Sequence, residues 1–349
     1  MRAITITKQA PKGPVTPNIT VVNDWPEPDA PAAGEATLRV EATALNHMDL
    51  WVGMGIPGVE ITYPHIGGCV VCAVVEMVGA GFDDSWIGRR VIMNAAVALP
   101  ERERPDDPPA TTLAPNYQLI GEHHKGAHRE RFNAPVSNLA PVGDADPVEA
   151  AAFGLTFLTA WSMMLGKGNL RPGQSVLITG IGGGVSTAAL RIAKWLGCPA
   201  VVTSRHQWKL DRAAEMGADH TVLDDGADWS KAVRAWTSKR GVDMAVDSSG
   251  KATHLNCIKS LARGGAYVTP GCTSGPDATT DLARIFWNQL RIFGSTMGTN
   301  DEFRQLAALF RTGALKPVVD STFAVADAPK AWGRLEDAEQ LGKIVITWN

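Results

Sequence analysis

The sequence predicts an α/β fold in two parts: a mainly β portion over residues 1–150, and a portion built on a doubly wound parallel sheet. Three observations predict it. Apolar and polar residues alternate with period two near the start of the chain, most clearly over Thr37–Leu45. From Ala151 onward, short apolar runs alternate with helix-like stretches, as expected of a parallel sheet covered on both faces. One such run, Val176–Thr179, empties into Gly180, Gly182, Gly183 and Gly184 and then into a helix-like stretch that Gly197 can stop.

Each element has its own signal. Met1–Thr7 alternates as a strand. Thr37–Leu45 puts Leu38, Val40, Ala42 and Ala44 on one face and Arg39, Glu41 and Thr43 on the other. Gly67–Gly79 is a long apolar strand pattern, and Gly88–Met93 reads as a turn and a strand. Residues 99–115 hold Pro, Asp, Glu and Arg with few apolar side chains, so they read as an exposed loop. Strand runs follow at 176–179, 200–203, 242–246 and 266–269, and helical stretches at 185–196, 207–216, 228–237 and 253–262. Arg291–Met297 supplies a last strand of the parallel sheet. Asp301–Arg311 is a helix that Gly313 can end, and Lys343–Thr347 is a strand expected to return to the first portion.

Size and composition set the class. The chain has 349 residues, 45% of them hydrophobic and 20% charged, which suits a globular protein of about two domains. A net charge of −3 leaves no basic footprint for nucleic acid or an anionic membrane. No run of 18 consecutive apolar residues predicts a membrane span, and the N-terminus lacks a signal-peptide apolar core. Five cysteines, an odd number, fit a reducing compartment, and a cytoplasmic location is expected.

Strand, glycine turn, helix is the arrangement by which a Rossmann unit holds a pyrophosphate. Glycines let the backbone approach the phosphates, and the helix N-terminus offers free N–H groups and a partial positive charge. Gly180, Gly182, Gly183, Gly184 and Val185 are therefore expected to bind a dinucleotide. Ser186 stands at the third glycine position of the fingerprint and is small enough to keep helix and strand close. A site for NAD usually places Asp or Glu at the end of the second strand. Here that strand ends in Ser204-Arg205-His206, with Lys209 close behind. Ser204, Arg205 and Lys209 can bind a 2′-phosphate that a carboxylate would repel, so the expected cofactor is NADPH. Ser248 is expected to lie along it too.

Several motifs coincide in order and spacing: Ala44-Leu45-Asn46-His47-Met48-Asp49-Leu50-Trp51; Pro64-His65-Ile66-Gly67-Gly68; Leu155-Thr156-Phe157-Leu158-Thr159-Ala160-Trp161; the glycine turn; Gly217-Ala218-Asp219; and Phe293-Gly294-Ser295-Thr296-Met297-Gly298. In these the chain resembles the medium-chain dehydrogenase/reductase superfamily, over essentially its whole length. The resemblance implies a GroES-like catalytic domain (residues 1–154 and 299–349), a central Rossmann domain (155–298), and a cleft between them. It also implies that Thr159, Gly271, Cys272, Ser295 and Met297 line the cofactor.

The departures from the superfamily's zinc members are informative. The resemblance puts their catalytic ligands at Asn46, Cys69 and Leu155, with Val70 where a glutamate usually follows. Only Cys69 is a competent ligand, since zinc wants three N, S or carboxylate donors plus an open position. The four cysteines of a structural zinc lobe are missing near residues 95–115. No metal is expected. Cys69-Val70-Val71-Cys72 has finger-like spacing but lies in an apolar strand pattern, where residues three apart face opposite sides. His123, His124 and His128 read as a loop before a strand, with His124 a candidate proton donor.

Asn46, His47, Asp49 and Trp51 form the candidate catalytic group: an amide donor to a carbonyl oxygen, a proton relay or phosphate contact, an orienting carboxylate and an apolar wall. The same residues also suit a plain helix start capped by Asn and Asp. Most tryptophans, at 161, 195, 208, 229, 236, 287 and 332, sit in helical patterns and are expected to pack.

Without zinc, an enone or quinone is the expected acceptor, because conjugation spreads the charge that hydride brings. The alternatives are a zinc-free alcohol dehydrogenase or aldehyde reductase, and a non-catalytic NADPH-binding protein. The expected partner is a small carbonyl compound, in a homodimer or homotetramer that pairs through the strand near 290–297.

Overall fold

The computed structural model describes residues 1–98, 111–114 and 116–348. The expected loop at 99–115 falls largely outside them; within it, Thr111–Leu113 forms one 3₁₀ turn. The chain divides into two compact units, Met1–Leu155 with Thr299–Asn349, and Thr156–Gly298.

The first unit begins with an antiparallel pair, β1 (Ala3–Ile6) and β2 (Ile19–Val22). Then come β3 (Glu35–Ala44), α1 (His47–Met54), β4 (Val71–Val78), β5 (Arg90–Met93), β6 (Ala96–Ala98), β7 (Tyr117–Leu119), β8 (Arg131–Pro135), β9 (Leu139–Pro141) and α2 (Pro147–Trp161). β3 is the longest of these strands because its alternation runs unbroken, with Leu38, Val40, Ala42 and Ala44 all buried. The Gly67–Gly79 pattern is strand only from Val71: Gly68 adopts φ +94°, which ends the ladder on that side.

α2 runs on into a π-helical turn, Ser162–Lys167. The continuous helix Pro147–Lys167 has mean hydropathy 1.4 and is, by length and composition, long enough to cross a membrane. Buried residues make up 78% of its apolar window, as in a core helix.

The second unit carries β10 (Val176–Ile178), α3 (Gly184–Trp195), β11 (Ala200–Ser204), α4 (Gln207–Glu215), β12 (His220–Leu223), α5 (Ser230–Trp236), β13 (Val242–Val246), α6 (His254–Ser260), β14 (Leu261–Thr269), α7 (Leu282–Asn288) and β15 (Arg291–Gly294). Its six strands are all parallel in the order β12-β11-β10-β13-β14-β15, the doubly wound nucleotide-binding order. Leu177, Val201, Val242, Ala245 and Tyr267 pack with Trp229, Val233, Cys257 and Ile258 in its core. The last strand stops at Gly294, short of the expected Met297, which takes a left-handed φ of 51°.

The chain then returns to the first unit with α8 (Asn300–Arg311), β16 (Val319–Ala324), α9 (Ala328–Glu336) and β17 (Lys343–Thr347). The main sheet there runs β16-β17-β3-β4-β5-β9, with β8 also on β3. Trp161, Trp229 and Trp332 are buried, as expected of packing residues. Trp195, Trp208 and Trp287 are exposed, which corrects the reading of their helical spacing: each lies on the outer face of its helix.

Candidate active site

In the first unit, strand register assembles the site. β17 pairs antiparallel with β3 as Val345↔Ala44, so Lys343, two residues back along β17, stands opposite Asn46, two residues on from Ala44. β4 pairs with β3 from the other side as Val71↔Thr43, and this brings Cys69 to the same place. Lys343 Nζ donates to Asn46 Oδ1 at 2.6 Å and to the Leu45 carbonyl. Asn46 Nδ2 donates to the Ala44 carbonyl at 3.2 Å and to Cys69 Sγ at 3.3 Å. The amide donor expected to face a carbonyl thus has internal partners for both hydrogens, one of them a weakly accepting thiol.

Asp49, three residues into α1, reaches back and accepts from the Asn46 backbone N–H at 2.8 Å. Its other oxygen accepts from Gly68 N–H at 3.0 Å and lies 3.3 Å from His128 Nε2. His128 Nδ1 is 3.0 Å from Thr43 Oγ1, which also accepts from Trp348 Nε1 at 3.0 Å. Asp49 and His128 are both fully buried. Burial alone would raise the Asp49 pKa; the His128 hydrogen bond and charge, the Asn46 N–H and Lys343 reverse this and hold it below the usual value. Burial lowers Lys343 to about 8, against the partial support of Cys69 and Asp49. Burial pushes the Cys69 thiol well up, so it is not a ready thiolate.

His47 is exposed and sits edge-on to Trp51, ring centroids 5.1 Å apart. Surrounding protein holds its pKa below the ordinary value. The three histidines do not converge. His124 pairs with Gln118 at 2.6 Å and His123 accepts from Leu119 N–H at 3.2 Å, both on a turn after β7, whereas His128 belongs to the buried Asp49 group. Among the described residues there is no cluster of three His, Cys, Asp or Glu able to hold a metal.

The donors at these positions can be set against what zinc needs. Asn46 offers an amide already bound to an ammonium, Cys69 a thiol that resists ionisation, and Leu155 no donor. Those residues do not fit a zinc ion.

In the second unit the glycine turn fits a dinucleotide. Gly180 and Gly182 adopt φ +59° and +127°, conformations L side chains rarely take. Ser186 Oγ donates to the carbonyls of Gly180 and Gly183 at 3.0 and 2.9 Å, so the serine at the third position ties the loop down. α3 begins there, and the N–H groups of Gly184 and Val185 have no partner within their own helix. Ser204 is buried and accepts from His206 N–H at 3.2 Å, while Arg205 is exposed. Lys209 is buried, its Nζ 5.2 Å from the Trp208 ring. Ser248 is half-buried, its carbonyl accepting from Thr273 N–H at 3.4 Å; Gly271 is half-buried and Cys272 exposed. Thr159, Ser295 and Met297 are buried, and Ser295 Oγ is a buried hydroxyl with no hydrogen-bond partner among the described residues.

Sequence reasoning missed Asp247, at the end of β13. Its carboxylate is fully buried and accepts from Thr179 Oγ1 at 2.6 Å, Thr253 Oγ1 at 2.8 Å, Tyr267 OH at 2.9 Å and Ser249 N–H at 3.0 Å. The available signal was an acidic residue directly after the apolar run Met244-Ala245-Val246.

Comparison with known proteins agrees with this architecture. Residues 32–144 match the alcohol dehydrogenase GroES-like domain, and residues 184–312 match the zinc-binding dehydrogenase family. The zinc-type alcohol dehydrogenase-like protein YogA of Leptosphaeria maculans is 29% identical over 335 residues, covering 91% of each chain. The synaptic vesicle membrane protein VAT-1 homolog of Mus musculus is 25% identical over 346 residues, 91% of this chain and 78% of its own. A crystal structure of an NAD-dependent alcohol dehydrogenase superposes with a TM-score of 0.91 at 36% identity, covering all of both chains. With a GroES-like domain, a glycine turn on a six-stranded parallel sheet and full-length relatives of this kind, the chain belongs to the medium-chain dehydrogenase/reductase superfamily of oxidoreductases.

Proposed function

We propose that the protein reduces a conjugated carbonyl compound, an enone or quinone, using NADPH and no zinc. The carrying observation is the Asn46–Cys69–Lys343 group: an amide and a thiol stand at two of the three positions where the resemblance puts metal ligands, and a lysine from β17 contacts the first of them. NADPH, when bound, supplies the hydride. Charge appearing on the substrate oxygen must then be met by hydrogen-bond donors, and a conjugated acceptor lessens that demand by delocalising it. Asn46 and His47 are the donors nearest the start of α1, Asp49 orients that helix start, and Trp51 provides an apolar face. His47, exposed at the start of α1, suits a proton relay from solvent.

The choice of NADPH rests on the end of β11, where Ser204 and exposed Arg205 stand in place of a carboxylate. The 36%-identical alcohol dehydrogenase is described as NAD-dependent, so the two cofactors must be compared directly. The relatives described as alcohol dehydrogenases favour a second reading, a metal-free alcohol or aldehyde enzyme. The test offers purified protein NADPH or NADH with 1,4-benzoquinones, alkyl vinyl ketones and aldehydes, and NADP⁺ with alcohols. The proposal expects NADPH oxidation with the first two classes. Turnover of alcohols and aldehydes alone favours the second reading, and no turnover with any of them rejects both.

The protein also pairs with a second copy through β15 in this proposal, and works in the cytoplasm, where its five free thiols stay reduced. β15 is a sheet edge with Ile292 45% exposed, and beside it α7 exposes Leu282, Phe286 and Trp287 by about 70% each. A strand edge can pair with itself across a two-fold axis, and such a pairing would cover this apolar face.

A further inference from the structure

We infer that Lys343 is the positioning residue of the site: its ammonium fixes and polarises the Asn46 carboxamide, bringing to this position the positive charge that a metal ion brings in zinc enzymes. The inference deepens the proposed reductase reading, but the contact itself does not depend on it.

The argument starts from register. Lys343 opens β17, where a lysine on a sheet end would ordinarily reach solvent. The antiparallel pairing Val345↔Ala44 instead sets it across from Asn46, and it is 4% exposed. Among the described residues no carboxylate touches its Nζ. Two acceptors hold it, the Leu45 carbonyl and Asn46 Oδ1, and its third N–H has no partner among the described residues. A buried cation without a contacting counter-ion is costly, so its presence needs a reason beyond packing.

The consequence falls on Asn46. A carboxamide can ordinarily turn over, exchanging its oxygen and nitrogen. Here the reversed amide would set its NH₂ against an ammonium, so the charge locks Oδ1 toward Lys343. Nδ2 must then face Ala44 and Cys69. Donation from a charged group to Oδ1 withdraws density from the amide and strengthens its N–H groups as donors. One of those donors rests on a thiol, a partner that an oxygen acceptor outcompetes.

Among the described residues, two titratable groups act on Lys343. Asp49 comes from α1, with His128 behind it, and Cys69 from the segment before β4.

The test needs no substrate. Side-chain amide resonances of Asn46, assigned by their loss in Asn46→Ser, are followed by NMR. The expected result is one sharp, well-separated pair of N–H signals in the wild type, kept in Lys343→Arg, whose guanidinium can also donate to Oδ1, and shifted or exchange-broadened in Lys343→Met. On whichever carbonyl substrate is turned over, Lys343→Met should lose about 100-fold in kcat with KM little changed, and Lys343→Arg should recover most of that loss. Asn46 resonances unchanged in Lys343→Met overturn the inference, as does a folded Lys343→Met enzyme with wild-type kcat. If Lys343→Met does not fold, Lys343→Gln, which donates without a charge, takes its place. Absence of any turnover speaks against the reductase reading and leaves the NMR arm to judge Lys343.

Discussion

Asp49 and Gly68 are joined by a 3.0 Å hydrogen bond from the glycine N–H to a carboxylate that is fully buried. Through it, the helix start that carries Asn46 is tied to the segment that carries Cys69. The same carboxylate holds Asn46 N–H at 2.8 Å. Replacing it by an amide leaves one oxygen for two N–H donors and sets an NH₂ against one of them. Asp49→Asn should cost about 3 kcal/mol of stability at neutral pH. The sign with pH follows from a folded-state pKa below the ordinary 3.8: the contribution is present above that value and is lost as pH falls through the folded one. Urea unfolding of both proteins should therefore show a gap that closes in acid.

Asp247 accepts four hydrogen bonds among buried groups of the second unit. Asp247→Ala would leave the hydroxyls of Thr179, Thr253 and Tyr267 without their acceptor. A loss of about 3 kcal/mol or more is expected, with Asp247→Asn retaining part of it. Denaturant unfolding followed by a probe confined to the second unit checks this.

Arg205 is the exposed cation at the end of β11, whereas Lys209 is buried beside Trp208 and less available. Arg205→Ala should raise KM for NADPH by about 10- to 100-fold and change KM for NADH by less than about threefold, since only the former carries a 2′-phosphate. Equal effects on both cofactors would place Arg205 elsewhere.

Ile292 lies on the free edge of β15. Ile292→Lys should convert a dimer to monomers in light scattering, because a charge at the centre of a strand pairing leaves a buried cation. A wild-type protein that is already monomeric would contradict the pairing.

How much was legible in the sequence depended on whether the signal was local. The glycine turn was, because Gly180 and Gly182 need φ values that only glycine takes easily. The parallel sheet was, because its strands are buried on both faces and read as apolar runs. The Lys343–Asn46 contact was not. Its partners are 297 positions apart, and nothing in the period of β17 says which strand it pairs with. His128 was noticed only as one of three neighbouring histidines; its actual partner, Asp49, comes from α1. Met297 was read as strand because it is apolar, yet its φ of 51° turns the chain out of the sheet. The exposed Trp195, Trp208 and Trp287 show the limit of helical spacing, which gives a face without saying what covers it.

Whether the reaction needs a metal is settled by quantifying zinc in the purified protein and following NADPH oxidation before and after exhaustive treatment with a strong chelator. Substoichiometric zinc and an unchanged rate on an enone or quinone are predicted. One zinc per chain, with turnover lost on its removal and restored on its return, would contradict the account.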